Sequence, residues 1–141
     1  MKRAGPHSLS KEGYETLAEF RYLLRHFGAF SEEAARAGGL TAQQHQALLA
    51  IKGFPGRQEI TVGELAERLN SKHHSVVGLV DRLMSHDLIV RRHDEEDRRR
   101  VLISLTPKAE KLLLGLSLAH REELRRLAPL LQELLRRVTA V

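Results

Sequence analysis

LIVRRHDEEDRRRVLISLT, residues Leu88 to Thr106, is two strand-like runs around a loop in which acids stand beside three consecutive arginines. Val101, Ile103 and Leu105 alternate with other residues, as one face of a half-buried strand requires, and Leu88 and Val90 do the same on the partner run. The loop, His93 to Arg100, is too polar to pack inside a core. A stiff two-stranded arm tipped with arginine has the shape of an element that enters a nucleic-acid groove.

Upstream of the arm, the elements are short and helical. Thr61 with Glu64 three residues on reads as a capping box, and Val62, Leu65, Ala66 and Leu69 form the apolar stripe of a short helix. Ser71 reads as the cap of the next helix, whose apolar face is Val76, Val77, Val80, Leu83 and Met84. The interval from Leu69 to Val76 allows only a tight turn. Before this pair, Thr41 and Gln44 open another helix with Leu48, Leu49 and Ile51 as its buried face, ended by Gly53-Phe54-Pro55-Gly56. Helices, tight turn, strand, basic loop and strand make the order of a winged helix-turn-helix.

Long helices flank this unit. The first runs from Ser10 to Arg36 on a stripe of Leu17, Phe20, Leu24 and Phe27, with Gly28 and Ser31 weakening its middle and Gly38-Gly39 stopping it. The last starts at Thr106-Pro107, proline in the first helical position. It carries Ala109, Leu113 and Leu116, then Leu124, Leu127, Leu131, Leu134 and Val138 at near-heptad spacing, and Pro129 is expected to kink or restart it. Leu112, Leu113, Leu114, Leu116 and Leu118 cover more than one helical face, which points to self-association.

Composition narrows the function. The 141 residues suit one domain, and 42% hydrophobic residues suffice for a packed core. The net charge of +5 suits an anionic partner, although its clustering in the arm says more than the total. Aromatics at 4% with no Trp argue against a stacking platform for single strands. The absence of cysteine excludes disulfides, Cys-ligated zinc and a thiol switch. The opening residues, MKRAGPHSLSKEGYE, have no apolar core, so no signal peptide is expected. The longest apolar run, Leu112 to Ala119, is broken by Gly115 and Ser117, so no membrane span is expected and the location read is cytoplasmic. No Gly-rich phosphate loop and no nucleophile–base–acid arrangement argues for an enzyme.

The arm and its neighbours resemble the MarR family of bacterial transcription regulators. The match is carried by Asp97-Arg98-Arg99 ahead of a strand and Leu105-Thr106, and upstream by Leu79-Val80-Asp81-Arg82-Leu83 and Leu88-Ile89-Val90-Arg91-Arg92. Motif-level similarity covers about Ser71 to Ala109, and the element order matches over nearly the whole chain.

The resemblance implies a mainly α fold with a small antiparallel β-hairpin. It implies a winged helix-turn-helix over residues 41–106 and dimerisation helices over 9–38 and 107–141, all within one domain, 1–141. It further implies a homodimeric, sequence-specific regulator of double-stranded DNA, a repressor on a pseudo-palindromic operator. Small anionic or phenolic molecules release such proteins by binding between the dimer region and the reading head. No cofactor is implied.

On that reading, Ser71, Lys72, His73, His74 and Ser75 start the helix that enters the major groove, and its N-terminus also favours phosphate. Arg82 lies in the matched half of the same helix and counts among the DNA contacts. Arg99 is the minor-groove probe, Asp97 the carboxylate that braces it, and Arg98 and Arg100 the phosphate contacts. Tyr14, Tyr22, Arg25, His26 and His45 are effector-site candidates that interface packing would explain equally well. Some family members sense zinc, but the eight histidines show no His-x3-His or HExxH spacing, and no metal site is expected.

Three positions depart from the family pattern. Gly78 stands inside the reading helix where Arg is common, Asp87 stands where Gly usually takes a left-handed turn, and Ala109 replaces a frequent Gly. Gly78, together with the acids Asp94 to Asp97, leaves open a second reading, a winged-helix protein-interaction module that does not read DNA.

Overall fold

The computed structural model describes residues 7–140. The outer ends of the expected 1–141 domain, including the first six residues of the stretch read for a signal peptide, lie outside the described residues. The elements run α1 (Lys11–Ala37), α2 (Ala42–Lys52), α3 (Val62–Arg68), α4 (His73–Ser85), β1 (Ile89–His93), β2 (Val101–Leu105) and α5 (Pro107–Thr139). The expected fold class, helical with one antiparallel hairpin, is what forms. No described helix is long and apolar enough to cross a membrane.

Chain packing divides the molecule into two compact units, residues 34–118 and residues 1–33 with 119–141. In the 34–118 unit, a single core joins Leu48 and Ile51 of α2, Leu65 of α3, Val76, Leu79, Val80 and Leu83 of α4, and Ile89 and Ile103 of the hairpin. Ala35 from the end of α1 and Ala109, Leu113 and Leu116 from the start of α5 belong to that core too.

Both expected capping boxes form. Thr41 and Thr61 each accept from the backbone N–H three residues on, at 3.1 Å, while Gln44 and Glu64 accept from the threonine N–H at 3.0 Å. Each box satisfies two of the helix's orphan donors, which is why these two short helices start where they do. Thr106 caps α5 similarly, accepting from the Ala109 N–H at 3.1 Å and donating to the Asp87 carbonyl at 2.7 Å.

Three helices end in the same left-handed stop. Gly39 (φ 83°), Asn70 (φ 50°) and Asp87 (φ 57°) follow α1, α3 and α4. In each case the next N–H reaches back five residues in the Schellman pattern, Leu40 to Ala35, Ser71 to Ala66 and Leu88 to Leu83. The turn expected at Asp87 is therefore present, held by a residue with a side chain where glycine would be unstrained. Asp87→Gly is expected to stabilise the protein by up to about 1 kcal/mol. A lower melting temperature for this variant would refute the strain.

Some expected burial patterns shift by one residue. Leu49 and Val77 are exposed, and Leu79 takes the buried place on α4. In the hairpin, Ile89 rather than Val90 faces the core, because Ile89 pairs with Leu105 and Arg91 with Ile103 across the sheet. A third extended segment, not expected from sequence, lies against the free edge of β2. Ile60 donates to the Ile103 carbonyl at 3.1 Å and Ile103 donates to that of Ile60 at 2.8 Å.

The other unit has its own small core, Leu23, Leu127 and Leu134 with Phe20, Phe27 and Leu131 against them. The expected stripe of α1 is displaced, since Leu17 and Leu24 are exposed and Leu23 is buried. His120 lies edge-on to Phe27 and Phe30, and its Nε2 is 2.8 Å from the Ser31 hydroxyl. Neither Gly28 nor Ser31 breaks α1, and α5 continues through Pro129 without restarting. The proline removes one N–H donor, and the carbonyl it orphans belongs to Arg125, an exposed residue rather than a core one.

Near the end of α5, Glu133 accepts from Arg136 at 2.6 and 3.0 Å and from Arg137 at 3.3 Å. The Arg136 hydrogen bonds, with help from Arg137, hold its carboxyl at about 2, against an ordinary value of 4.5. A depressed carboxylate contributes stability above its unfolded pKa and loses it as pH falls through the folded one. The difference in melting temperature between the native protein and Glu133→Gln should therefore be present above about pH 4.5 and close by about pH 2. A difference that does not change over this window would refute the assignment.

Candidate nucleic-acid interface

The turn between α3 and α4 leaves the start of α4 bare. Ser71 is not its cap, contrary to expectation. The left-handed Asn70 turns Ser71 back, and its hydroxyl donates to the Leu69 carbonyl at 3.1 Å. Lys72 takes the N-cap position and makes no side-chain cap hydrogen bond. With no side-chain cap, the His73 and His74 N–H groups at the start of α4 are open to an outside acceptor, in the orientation that favours phosphate, while the Ser75 N–H donates to the Lys72 carbonyl at 3.1 Å. Ser71, Lys72, His73, His74 and Ser75 are all exposed there, as is Arg82 two turns on.

A polar groove of about 550 Å³ runs along this helix. Ser71, His74, Ser75, Gly78 and Arg82 line it from the α4 side, and Gln43 and Gln46 from α2. The two glutamines were not singled out from sequence; their only local signal is a spacing of three on the face of α2 opposite its apolar residues. No packing demands Gly78, since a Cβ there would come no closer than 3.7 Å to any atom, the Arg82 Nη1. Its effect is to widen the groove and to leave it without a side chain.

The wing tip is stiffened from within. The Asp94 carboxylate accepts from the Glu96 N–H at 3.0 Å, and that of Asp97 from the Arg99 N–H at 3.1 Å. The Asp94 N–H donates to the Arg100 carbonyl and the Arg100 N–H to that of Asp97, both at 2.9 Å. His93 Nδ1 donates to the Arg98 carbonyl at 2.9 Å. Asp97 therefore holds Arg99 by its backbone rather than by its guanidinium, because a carboxylate so close in sequence reaches the N–H two residues on first.

The guanidinium groups differ in their partners. Among the described residues, Arg98 and Arg99 make no ion pair. Arg100 is turned toward the Glu64 carboxylate at 3.5 Å. That occupies the group read from sequence as a phosphate contact. Arg57 also pairs with Glu64 and stacks over Phe54, 4.7 Å from the ring centre. Arg92 grips Glu59 through Nε and Nη2 at 2.6 and 3.0 Å, and this hydrogen bonding raises the arginine pKa above its ordinary value. The Glu59 pair was invisible in the sequence, its members being 33 residues apart.

The effector candidates are divided between the two units. Tyr22 and His26 touch edge to face, ring centres 4.4 Å apart, with Tyr14 and Arg25 exposed on the same helix. His45 is buried within the core of the 34–118 unit.

Residues 38–100 match the MarR family. The HTH-type transcriptional regulator YfiV of Bacillus subtilis is 39% identical over 57 residues, 40% of this chain and 36% of that protein. The HTH-type transcriptional repressor MdtR of the same organism is 33% identical over 87 residues, 59% of this chain and 54% of its own. The chain thus spans about a third to a half of the length of these relatives. A mutant of S. aureus MepR bound to an oligodeoxyribonucleotide has the same fold, with TM-score 0.66 over 86% of this chain and 84% of that one at 22% identity. The MarR-family match thus covers the helix-turn-helix and most of the wing, residues 38–100, and the winged helix-turn-helix fold is shared with solved structures beyond it.

Proposed function

We propose that the protein is a sequence-specific double-stranded DNA-binding repressor that acts as a cytoplasmic homodimer on a pseudo-palindromic operator and is released by a small anionic or phenolic ligand. The observation that carries this reading is the pairing, in one packed unit, of an uncapped, exposed α4 N-terminus with a stiffened wing whose Arg98 and Arg99 make no ion pair. A bare helix start of this kind suits the major groove, and a fixed arginine at a hairpin tip suits the minor groove. Ser71 to Ser75 and Arg82 are assigned to the first contact, Arg99 to the second, and Arg98 to a phosphate. The DNA bound by the MepR mutant and the repressor name of MdtR support the same function here.

Dimerisation is supported by the apolar surface of the helical unit. Leu17, Leu24, Leu124, Leu135 and Val138 each leave 43–55% of their surface exposed, more than a monomer needs to show on two helices. A dimer has a purpose on DNA, since half-sites one turn apart require two reading helices held about 34 Å apart. The effector candidates are Tyr14, Tyr22, Arg25 and His26 on α1, supported by the Tyr22–His26 contact, and His45 on α2.

Fluorescence anisotropy with a duplex from the region upstream of the protein's own gene tests the function. Binding should exceed that of a random duplex at least tenfold and weaken steeply with salt as counterions are released. Equal binding to both duplexes would favour the protein-interaction module.

A further inference from the structure

The root of the wing is held from outside the hairpin. Ile60 is bonded to the free edge of β2, and the Glu59 side chain beside it reaches over β2 to Arg92 on β1. Arg92 pairs with Leu102 in the sheet. Leu102 lies on the face away from Ile103 and belongs to neither core, yet it is only 8% exposed. It lines one cavity of about 350 Å³ with Glu59, Arg92 and Arg100, so the ion pair roofs it. At the other end of β2, Arg100 reaches Glu64, which also pairs with Arg57 and caps α3.

We propose that Glu59 and Glu64 are positioning residues for the wing, fixing its direction relative to the helix-turn-helix by gripping Arg92 and Arg100. This rests on the DNA-binding reading and deepens it. Arg99 follows directly on a tip whose neighbour, Arg100, is tied to the first turn of α3, so the angle of the probe is set by the helix-turn-helix itself. Arg100 then serves the protein rather than a phosphate.

The proposal predicts a sign opposite to that of simple electrostatics. An acid close to DNA repels it, so removing Glu59 for charge alone should tighten binding. Removing a brace should weaken binding to the operator. Because the pair is solvated, the loss is modest, about fivefold for Glu59→Ala, and about the same for Glu59→Gln. Random-duplex affinity, which needs no aimed probe, should hold or rise. Arg92→Ala should weaken operator binding, and adding Glu59→Ala to it should cost no more. Exchanging the pair, Glu59→Arg with Arg92→Glu, should restore much of the operator preference.

The test measures operator and random-duplex affinity for these full-length variants, with melting temperature as a folding control and hydrogen exchange of the wing amides as a second readout. Weaker operator binding with faster exchange at Asp94 and Arg100 in Glu59→Ala, at near-native melting temperature, is the expected result. Operator binding that is unchanged or tighter in Glu59→Ala overturns the proposal. Should the native protein not prefer the operator, the DNA reading fails separately, and unchanged wing exchange in Glu59→Ala would then also remove the brace.

Discussion

Arg99→Ala is expected to reduce operator affinity by about tenfold to a hundredfold, a loss of about 1–3 kcal/mol, while the dimer stays intact. The guanidinium makes no ion pair among the described residues, so nothing in the free protein competes for it. Its backbone N–H is fixed by Asp97 at 3.1 Å and the tip by four further hydrogen bonds. Little entropy is then lost on binding, and truncation forfeits most of the contact. Arg99→Lys should recover only part, because an ammonium retains charge but not the planar shape suited to a narrow groove. Arg98→Ala should behave differently, weakening all duplexes alike and lowering the salt slope by about one. Anisotropy titrations across salt concentrations, with size-exclusion chromatography as the dimer control, separate these outcomes. Native-like operator binding by Arg99→Ala would remove the wing tip from the interface.

The second large effect concerns stability. Ile103→Ala is expected to cost about 2–5 kcal/mol, a fall of roughly 10 °C in melting temperature for a chain of this size. Ile103 is fully buried at the centre of the 34–118 core, with Ile60 bonded on one side and Arg91 paired on the other. The cavity would lie where three extended segments and the helices meet, a place with little freedom to collapse. Leu102→Ala removes as many carbons one residue away but should cost clearly less, since its cover is a solvated ion pair that can settle onto the gap. Thermal unfolding of both variants decides the matter; equal losses would mean that Leu102 is core and the roof over it is not.

Ile103 and Leu102, adjacent in the chain, owe their burial to different causes. Alternation along residues 101–105 identifies a strand with Ile103 facing inward, yet the same alternation points to Val90 where Ile89 is the buried residue, because facing in a hairpin depends on register and a one-residue slip turns every side chain over. Ser71 read as a cap from its type and place. The left-handed turn at Asn70 sent its hydroxyl elsewhere and bared the start of α4. Arg100, one of three identical neighbours in a run, could not be told from Arg98 until Glu64 was seen beside it.

Features set by neighbours within a turn or two are legible in the chain alone. These are the two capping boxes, the left-handed stop at Asp87, proline at the start of α5, the order of helices and hairpin, and the motif that marks the family. Each is a local hydrogen-bond or periodicity rule, and its whole cause lies within a few residues. Only packing of the folded chain sets which wing arginines, among the described residues, stay without an ion pair, what covers Leu102, and that Ile60 adds an edge to the hairpin. These contacts join Glu59 to Arg92, Glu64 to Arg100 and Ile60 to Ile103. Charged and apolar residues offer many partners at such separations, and only the packed core brings one of them within reach.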